Sequence, residues 1–201
     1  MKSFFILLLL SLYFHSLLSA QVTLVKNRKP AGRIILTSDN NADAAAARLL
    51  QDFVERITQS KLSIQKTNQV KPNDVIIGNE GINKSVRKEQ LSEDGFRVVC
   101  NNHLLQIITG GGNGSIYAVV SLLERYCGVS YWGEKEYSVT PAATLQLPAA
   151  DLTEIPSFRY RQSQHYALAT DTVYRNWMRL KTPADMFAGN LWVHTFDFLL
   201  P

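Results

Sequence analysis

Cysteine is nearly absent from this 201-residue chain, which holds only Cys100 and Cys127, and histidine occurs four times. Two cysteines without paired histidines at ligand spacing exclude a structural zinc site, and no other metal or cofactor site is expected. A disulfide framework is excluded too. A single Cys100–Cys127 bridge stays open beside two buried thiols, the reading favoured because a domain this size needs no staple. Charge of one sign is also scarce, with 21 Lys and Arg against 17 Asp and Glu and a formal net charge of +4. The basic residues lie among acids rather than along one face, which argues against a nucleic-acid partner. With 11 glycines and 7 prolines the chain is neither collagen-like nor low in complexity. Its length excludes a complete (β/α)8 barrel, which takes about 250 residues.

Long apolar runs are limited to one, Phe4-Phe5-Ile6-Leu7-Leu8-Leu9-Leu10, which follows Lys2 and leads to Ser19-Ala20. That order reads as a secretory signal over residues 1–20. His15 and Ser16 interrupt the run before it reaches the roughly 20 apolar residues of a spanning helix. The expectation is an exported chain, periplasmic or extracellular, with no membrane span once the signal is cut.

Past the signal, a basic lead-in (Lys26, Arg28, Lys29, Pro30) precedes Arg33–Thr37, rich in β-branched residues and read as a buried strand. Asn40 or Asn41 caps a helix on which Ala46, Leu49, Leu50, Phe53, Val54 and Ile57 recur at helical spacing. Leu62–Lys66 and Asp74–Gly78 read as strands, and Phe96–Cys100 with Leu104–Thr109 as a hairpin across Asn101-Asn102-His103. Gly110–Gly114 break the strand, Ser115 opens a second helix bearing Ile116, Val119, Val120, Leu122 and Leu123, and Gly128 ends it. Strand, helix, several strands and helix predict an α+β fold: a mixed sheet with two helices on one face. Prolines at 141, 148 and 156 suggest a strand-like connector between units.

Residues 151–201 carry Trp177, Trp192, Phe158, Phe187, Phe196 and Phe198, too many large apolar groups for so short a segment to cover alone. Phe158–Arg161 reads as a strand, Asp171–Lys181 as a helix and Leu191–Phe196 as a second strand, an incomplete βαβ unit like the start of a (β/α)8 barrel.

The loop Thr109-Gly110-Gly111-Gly112-Asn113-Gly114-Ser115 sits where a nucleotide phosphate could bind, yet it lacks the lysine of a phosphate loop and the acid of a dinucleotide site. It reads as a flexible turn with a serine cap, and no nucleotide partner is expected. No serine occupies a strand-turn-helix elbow, so a nucleophilic triad is unsupported. Glu154, Asp171, Asp185 and Asp197 are not spaced as a hydrolytic carboxylate pair. Arg161, His165, Trp192 and His194 are the candidate carbohydrate contacts, since aromatic faces and fork-shaped donors suit sugar rings and sugar acids.

Asn41–Ile64, Val75–Gly78, Asp94-Gly95-Phe96 and Ile107–Trp132 together resemble the non-catalytic amino-terminal domain of bacterial β-N-acetylhexosaminidases and α-glucuronidases. They are similar above all to a group of exported glycosidase-like proteins with that domain before a barrel. The most specific piece is the glycine loop followed by Ser-Ile-Tyr-Ala and a helix ending Leu-Glu-Arg-Tyr-Cys-Gly-Val. Pro156–Arg161 resembles the entry to such a barrel, and His194-Thr195-Phe196 a histidine motif early in it. Asn113 stands where members often carry arginine. The resemblance implies an accessory domain over residues 21–150 and the truncated start of a barrel over 151–201. Catalytic acids in those families come from later barrel strands, so no catalytic residue is expected here. The implied function is the accessory part of an exported glycoside-hydrolase-like protein, with an oligosaccharide or uronic acid as partner. A stand-alone exported carbohydrate-binding or protein-interaction module is the alternative.

Overall fold

The computed structural model describes residues 22–78, 90–101, 103–163 and 165–181. In chain order its elements are β1 (Val22–Lys26), β2 (Lys29–Pro30), β3 (Ile34–Leu36), α1 (Asn41–Thr58), β4 (Ile64–Lys66), β5 (Val75–Ile77), β6 (Phe96–Asn101), β7 (Leu104–Thr109), α2 (Gly114–Tyr126), β8 (Val129–Gly133), β9 (Glu136–Val139), β10 (Leu145–Leu147), β11 (Ala150–Glu154), α3 (Tyr166–Thr170) and α4 (Thr172–Trp177).

Six strands form the main sheet in the order β11-β6-β7-β5-β3-β4. The run β7-β5-β3-β4 is parallel, while β6 lies antiparallel to both β7 and β11. Register puts Ile34 opposite Val75, Val75 opposite Leu105 and Leu105 opposite Cys100, so one row of apolar side chains crosses the sheet toward the helices. Continuous apolar strands such as Val75-Ile76-Ile77 are what a parallel sheet buried on both faces requires.

Helix α1 starts where the Asn40 side chain accepts from the Ala42 amide at 2.8 Å. Its Ala46, Leu50, Phe53, Val54 and Ile57 are buried over β3, β4 and β5. Each large apolar side chain so buried contributes roughly 1.5–3 kcal/mol. Helix α2 lies over β6 and β7 and packs against α1, which places both helices on one face, as the α+β reading expects. Gln59 ends α1 in the left-handed region at φ 58°, a position that favours glycine.

The proline-marked stretch is strand-like, as its reading expects, and its strands join the sheets: β10 pairs with β1, Val22 opposite Leu147, and β11 pairs with β6 from Ala150–Cys100 to Glu154–Phe96. Phe158–Arg161 is irregular rather than a strand, because no described strand edge offers it a ladder, and Arg161 donates from Nη1 to its own segment's Phe158 carbonyl at 2.6 Å. No bridge joins Cys100 and Cys127, in keeping with the favoured reading of two buried thiols. Both are free thiols. Cys100 sits in the strand row facing the helices and Cys127 caps α2, each inside the apolar core. Burial pushes the Cys100 thiol up to about 11 and that of Cys127 up to about 12.

Candidate functional site: an aromatic groove beside a buried ion cluster

Leu49, Asp52, Phe53 and Arg56 recur at helical spacing along α1, and the β8–β9 hairpin brings Tyr131 and Tyr137 opposite each other beside them. With the Asp171 turn before α4 they line an open groove of about 600 Å³. Its floor is aromatic. Trp177, 2% exposed, lies with its ring 5.0 Å from Tyr131 and 5.3 Å from Phe53, joining β8 to α1 through α4. Tyr131 and Tyr137 stack at 5.8 Å, and Phe53 meets Tyr137 edge-on at 5.7 Å.

Polar groups surround that floor. The Arg56 guanidinium stands 5.1 Å over the Tyr137 ring and 5.6 Å over Phe53, and it donates to the Tyr137 hydroxyl. Asp171 caps α4 by accepting from the Tyr174 amide at 2.9 Å, and the Tyr131 hydroxyl donates to its other oxygen at 3.5 Å. Burial and the Asp171 carboxylate together hold the Tyr131 phenol above its ordinary range, so it stays a donor at neutral pH.

The second feature is the glycine loop. Asp94, at φ 66° and 1% exposed, accepts from the Asn113 amide at 2.8 Å and from Arg161 Nη2 at 2.6 Å, with Lys181 Nζ at 3.2 Å. A Cβ on Gly112 would lie 2.2 Å from the Asp94 carboxylate, so glycine is needed there for the close approach as well as for φ 53°. Burial works to raise the Asp94 pKa, but the Asn113 amide, Arg161 and Lys181 more than offset it, and the carboxyl sits below its ordinary range. Thr109 Oγ1 accepts from the Gly111 amide at 3.1 Å. The loop is therefore pinned rather than flexible. Asn113, without a side-chain cap bond, takes the N-cap position, while the buried Ser115 hydroxyl has no partner among the described residues, which corrects the serine cap. The amide that could meet a phosphate at the start of α2 already meets Asp94. A polar cleft of about 520 Å³ between this loop and Asn40-Asn41 is lined by the same Asp94 and Lys181.

The cluster also ties residues 158–181 to α2. Arg161 donates from Nε to the Arg179 carbonyl at 2.9 Å, Tyr117 donates to the Leu180 carbonyl at 3.3 Å, and Arg179 reaches Ser121 at 2.9 Å and Glu124 at 2.7 Å.

Of the four residues singled out as carbohydrate contacts, Arg161 is held in this ion cluster and His165 is exposed at the start of α3; neither lines the aromatic groove. Trp192 and His194 lie outside the described residues. Sequence reasoning passed over Asp52, Arg56, Tyr131 and Tyr137. The signal available was the stripe at 49, 52, 53 and 56, together with tyrosines flanking the tight turn Gly133-Glu134-Lys135. Among the described residues no group of His, Cys, Asp and Glu could hold a metal ion, and no helix is long and apolar enough to cross a membrane.

No protein-family model matches the chain, and no curated protein matches it. Solved structures do. A family GH115 4-O-methyl-α-glucuronidase with specificity for decorated arabinogalactans matches 70% of this chain and 19% of its own at 15% identity and a TM-score of 0.52. A GH20 exo-β-N-acetylglucosaminidase from Vibrio harveyi matches 70% of this chain and 17% of its own, with 19% identity and a TM-score of 0.45. A GH20 β-N-acetylhexosaminidase from Streptomyces coelicolor matches 72% of this chain and 25% of its own, with 12% identity and a TM-score of 0.48. The chain thus spans a quarter or less of the length of each, and the likeness to the α-glucuronidase is one of fold.

Proposed function

We propose that this chain is the accessory, non-catalytic part of an exported glycoside-hydrolase-like protein acting in carbohydrate metabolism. The observation that carries the reading is the fold shared with the α-glucuronidase, which takes in 70% of this chain and only 19% of that enzyme. Such a unit occupies a minor share of a large carbohydrate-active protein. Export rests on Lys2, the apolar run from Phe4 to Leu10 and the Ser19-Ala20 exit. The groove supports the alternative, a stand-alone carbohydrate-binding module, because its aromatic floor and polar rim exist within this chain alone.

Two assays test the main reading. Purified residues 21–201, offered aryl glycosides of N-acetylglucosamine and glucuronic acid, release no aryl group above the buffer rate; enzyme-like turnover overturns the non-catalytic role. Residues 1–30 fused to alkaline phosphatase give an active, exported reporter, and an inactive cytoplasmic fusion overturns the export reading.

A further inference from the structure

Another opening lies at the opposite end of the sheet from the glycine loop, where β3 and β5 begin. It is a pocket of about 310 Å³, at the lower end of the size range of small-ligand sites. Its walls come from the segment after the β1–β2 hairpin through Pro30 and Gly32, the turn from α1 into β4 through Lys61 and Ser63, and the loop ahead of β5 through Lys71. Close approaches fix these walls. A Cβ on Gly32 would lie 1.9 Å from the Asn73 carbonyl oxygen, and the Asn73 side chain accepts from the Thr23 amide at 2.9 Å. Hairpin and loop touch at the backbone, so the frame of the pocket is set by the fold.

Charge decides the class of ligand. Asp74, 1% exposed, is the one carboxylate in the lining, and it is already engaged. Arg33 donates to it from Nε at 3.1 Å and from Nη2 at 2.6 Å, and the Lys71 amide donates to it at 2.8 Å. Arg33 and Asp74 therefore cancel. What remains is Lys71, exposed and without an ion pair among the described residues, and Lys61, whose exposed partner Glu55 stands 3.6 Å away and holds it weakly. The hairpin adds Lys26 and Lys29, opposite each other beside Pro30, exposed and likewise without ion pairs among the described residues. In sequence these four lysines are spread among acids over residues 26–71; the fold brings them to one end. No aromatic side chain lines the pocket, so a nucleic-acid strand finds no surface on which to stack its bases. An acidic polysaccharide needs none, since its charges meet ammonium groups and its hydroxyls meet the Ser63 side chain. We propose that this pocket binds the anionic groups, carboxylate or sulfate ester, of an acidic polysaccharide. Lys61 and Lys71 make the main contacts, and Lys26 and Lys29 extend the site along the polymer.

This inference rests on the carbohydrate reading above but can fail separately from it. Isothermal titration of residues 21–201 at low salt with polygalacturonate and with dextran sulfate is expected to show at least one bound about tenfold more tightly than uncharged dextran, with affinity falling as salt is raised. Binding of polygalacturonate identifies the carboxylate as the recognised group, and binding of dextran sulfate the sulfate ester. Lys61→Gln and Lys71→Gln, both at exposed positions, should each weaken binding several-fold and together about tenfold. Arg48→Gln removes the same charge from an exposed position of α1 outside the lining and should change affinity by less than about twofold. An equal loss in Arg48→Gln overturns the pocket, as does unchanged binding by the double lysine variant while circular dichroism shows it folded. Neither anionic polymer binding beyond dextran overturns the site, and a single-stranded DNA oligonucleotide bound as tightly overturns the choice of polysaccharide. None of these results would make the chain catalytic, so the accessory role stands or falls on the aryl glycoside assay alone.

Discussion

Asp94 is the residue on which the loop and the following segment depend. Its carboxylate is 1% exposed and takes bonds from Asn113, Arg161 and Lys181, so removing it strands two cations that have given up water. Asp94→Ala should destabilise the fold by about 3–5 kcal/mol in urea titrations, whereas Arg159→Ala, at an exposed pair 3.8 Å from Glu93, should change stability by less than about 1 kcal/mol. The pH dependence has a definite sign. The Asp94 carboxyl is lowered in the folded state, so its contribution is complete above the ordinary value of 3.8 and drains as pH falls below it. The Lys181 ammonium is raised: burial opposes the charge, but Glu93 and Asp94 outweigh it. Its contribution is therefore complete below 10.5 and is lost on the alkaline side. Denaturation midpoints measured from pH 2 to 6 should fall steeply only below about pH 4 in the wild type, with a shallower fall in Asp94→Ala. The cysteines carry a complementary expectation. As buried free thiols they should resist a thiol reagent until unfolding, and dithiothreitol should leave the melting temperature unchanged; a large downward shift would mean a bridge.

At the scale of elements, local pattern and tertiary pairing divide what the sequence shows. Helix α1 was legible because its apolar spacing, the Asn40 cap and its acidic first turn at Asp43 all point the same way. Strands β3, β5, β6 and β7 were legible as dense β-branched runs. Residues 136–154 were legible at most as a strand-like connector and not as paired strands, since β9, β10 and β11 alternate weakly and take their edges from β8, β1 and β6. The glycine loop was legible as a break, but not as a pinned turn: Asp94 lies far from it in sequence, and only the fold brings its carboxylate to the Asn113 amide. The groove escaped notice for a similar reason, as Phe53 reads as core and Arg56 as solvent face until the tyrosine hairpin and Trp177 close on them. Gly112→Ala tests the loop directly. A methyl group at φ 53° and 2.2 Å from Asp94 should cost about 1–3 kcal/mol by thermal melting, while Gly111→Ala, with nothing within 4 Å of its added Cβ but φ 135°, reports backbone strain without the clash.

For the molecule as a whole, the segment from Phe158 to Lys181 is part of the packed body. Trp177 fills the space between Phe53 and Tyr131, Arg179 bonds to Ser121 of α2, and Arg161 and Lys181 bond to Asp94, which in turn holds the Asn113 amide of the α2 loop. A chain ending at residue 156 should therefore melt at a lower temperature and aggregate more than one ending at residue 181, because it exposes the Phe53 and Tyr131 faces and leaves Asp94 without its cations. Equal stability of the two would contradict this packing. The reading proposed for the chain is that it belongs to a glycoside-hydrolase-like protein without cutting sugar itself. Mass spectrometry of chitohexaose kept overnight with a saturating concentration of residues 21–201 tests it most directly: the hexasaccharide is expected to be recovered intact, and shortened products would contradict the non-catalytic role.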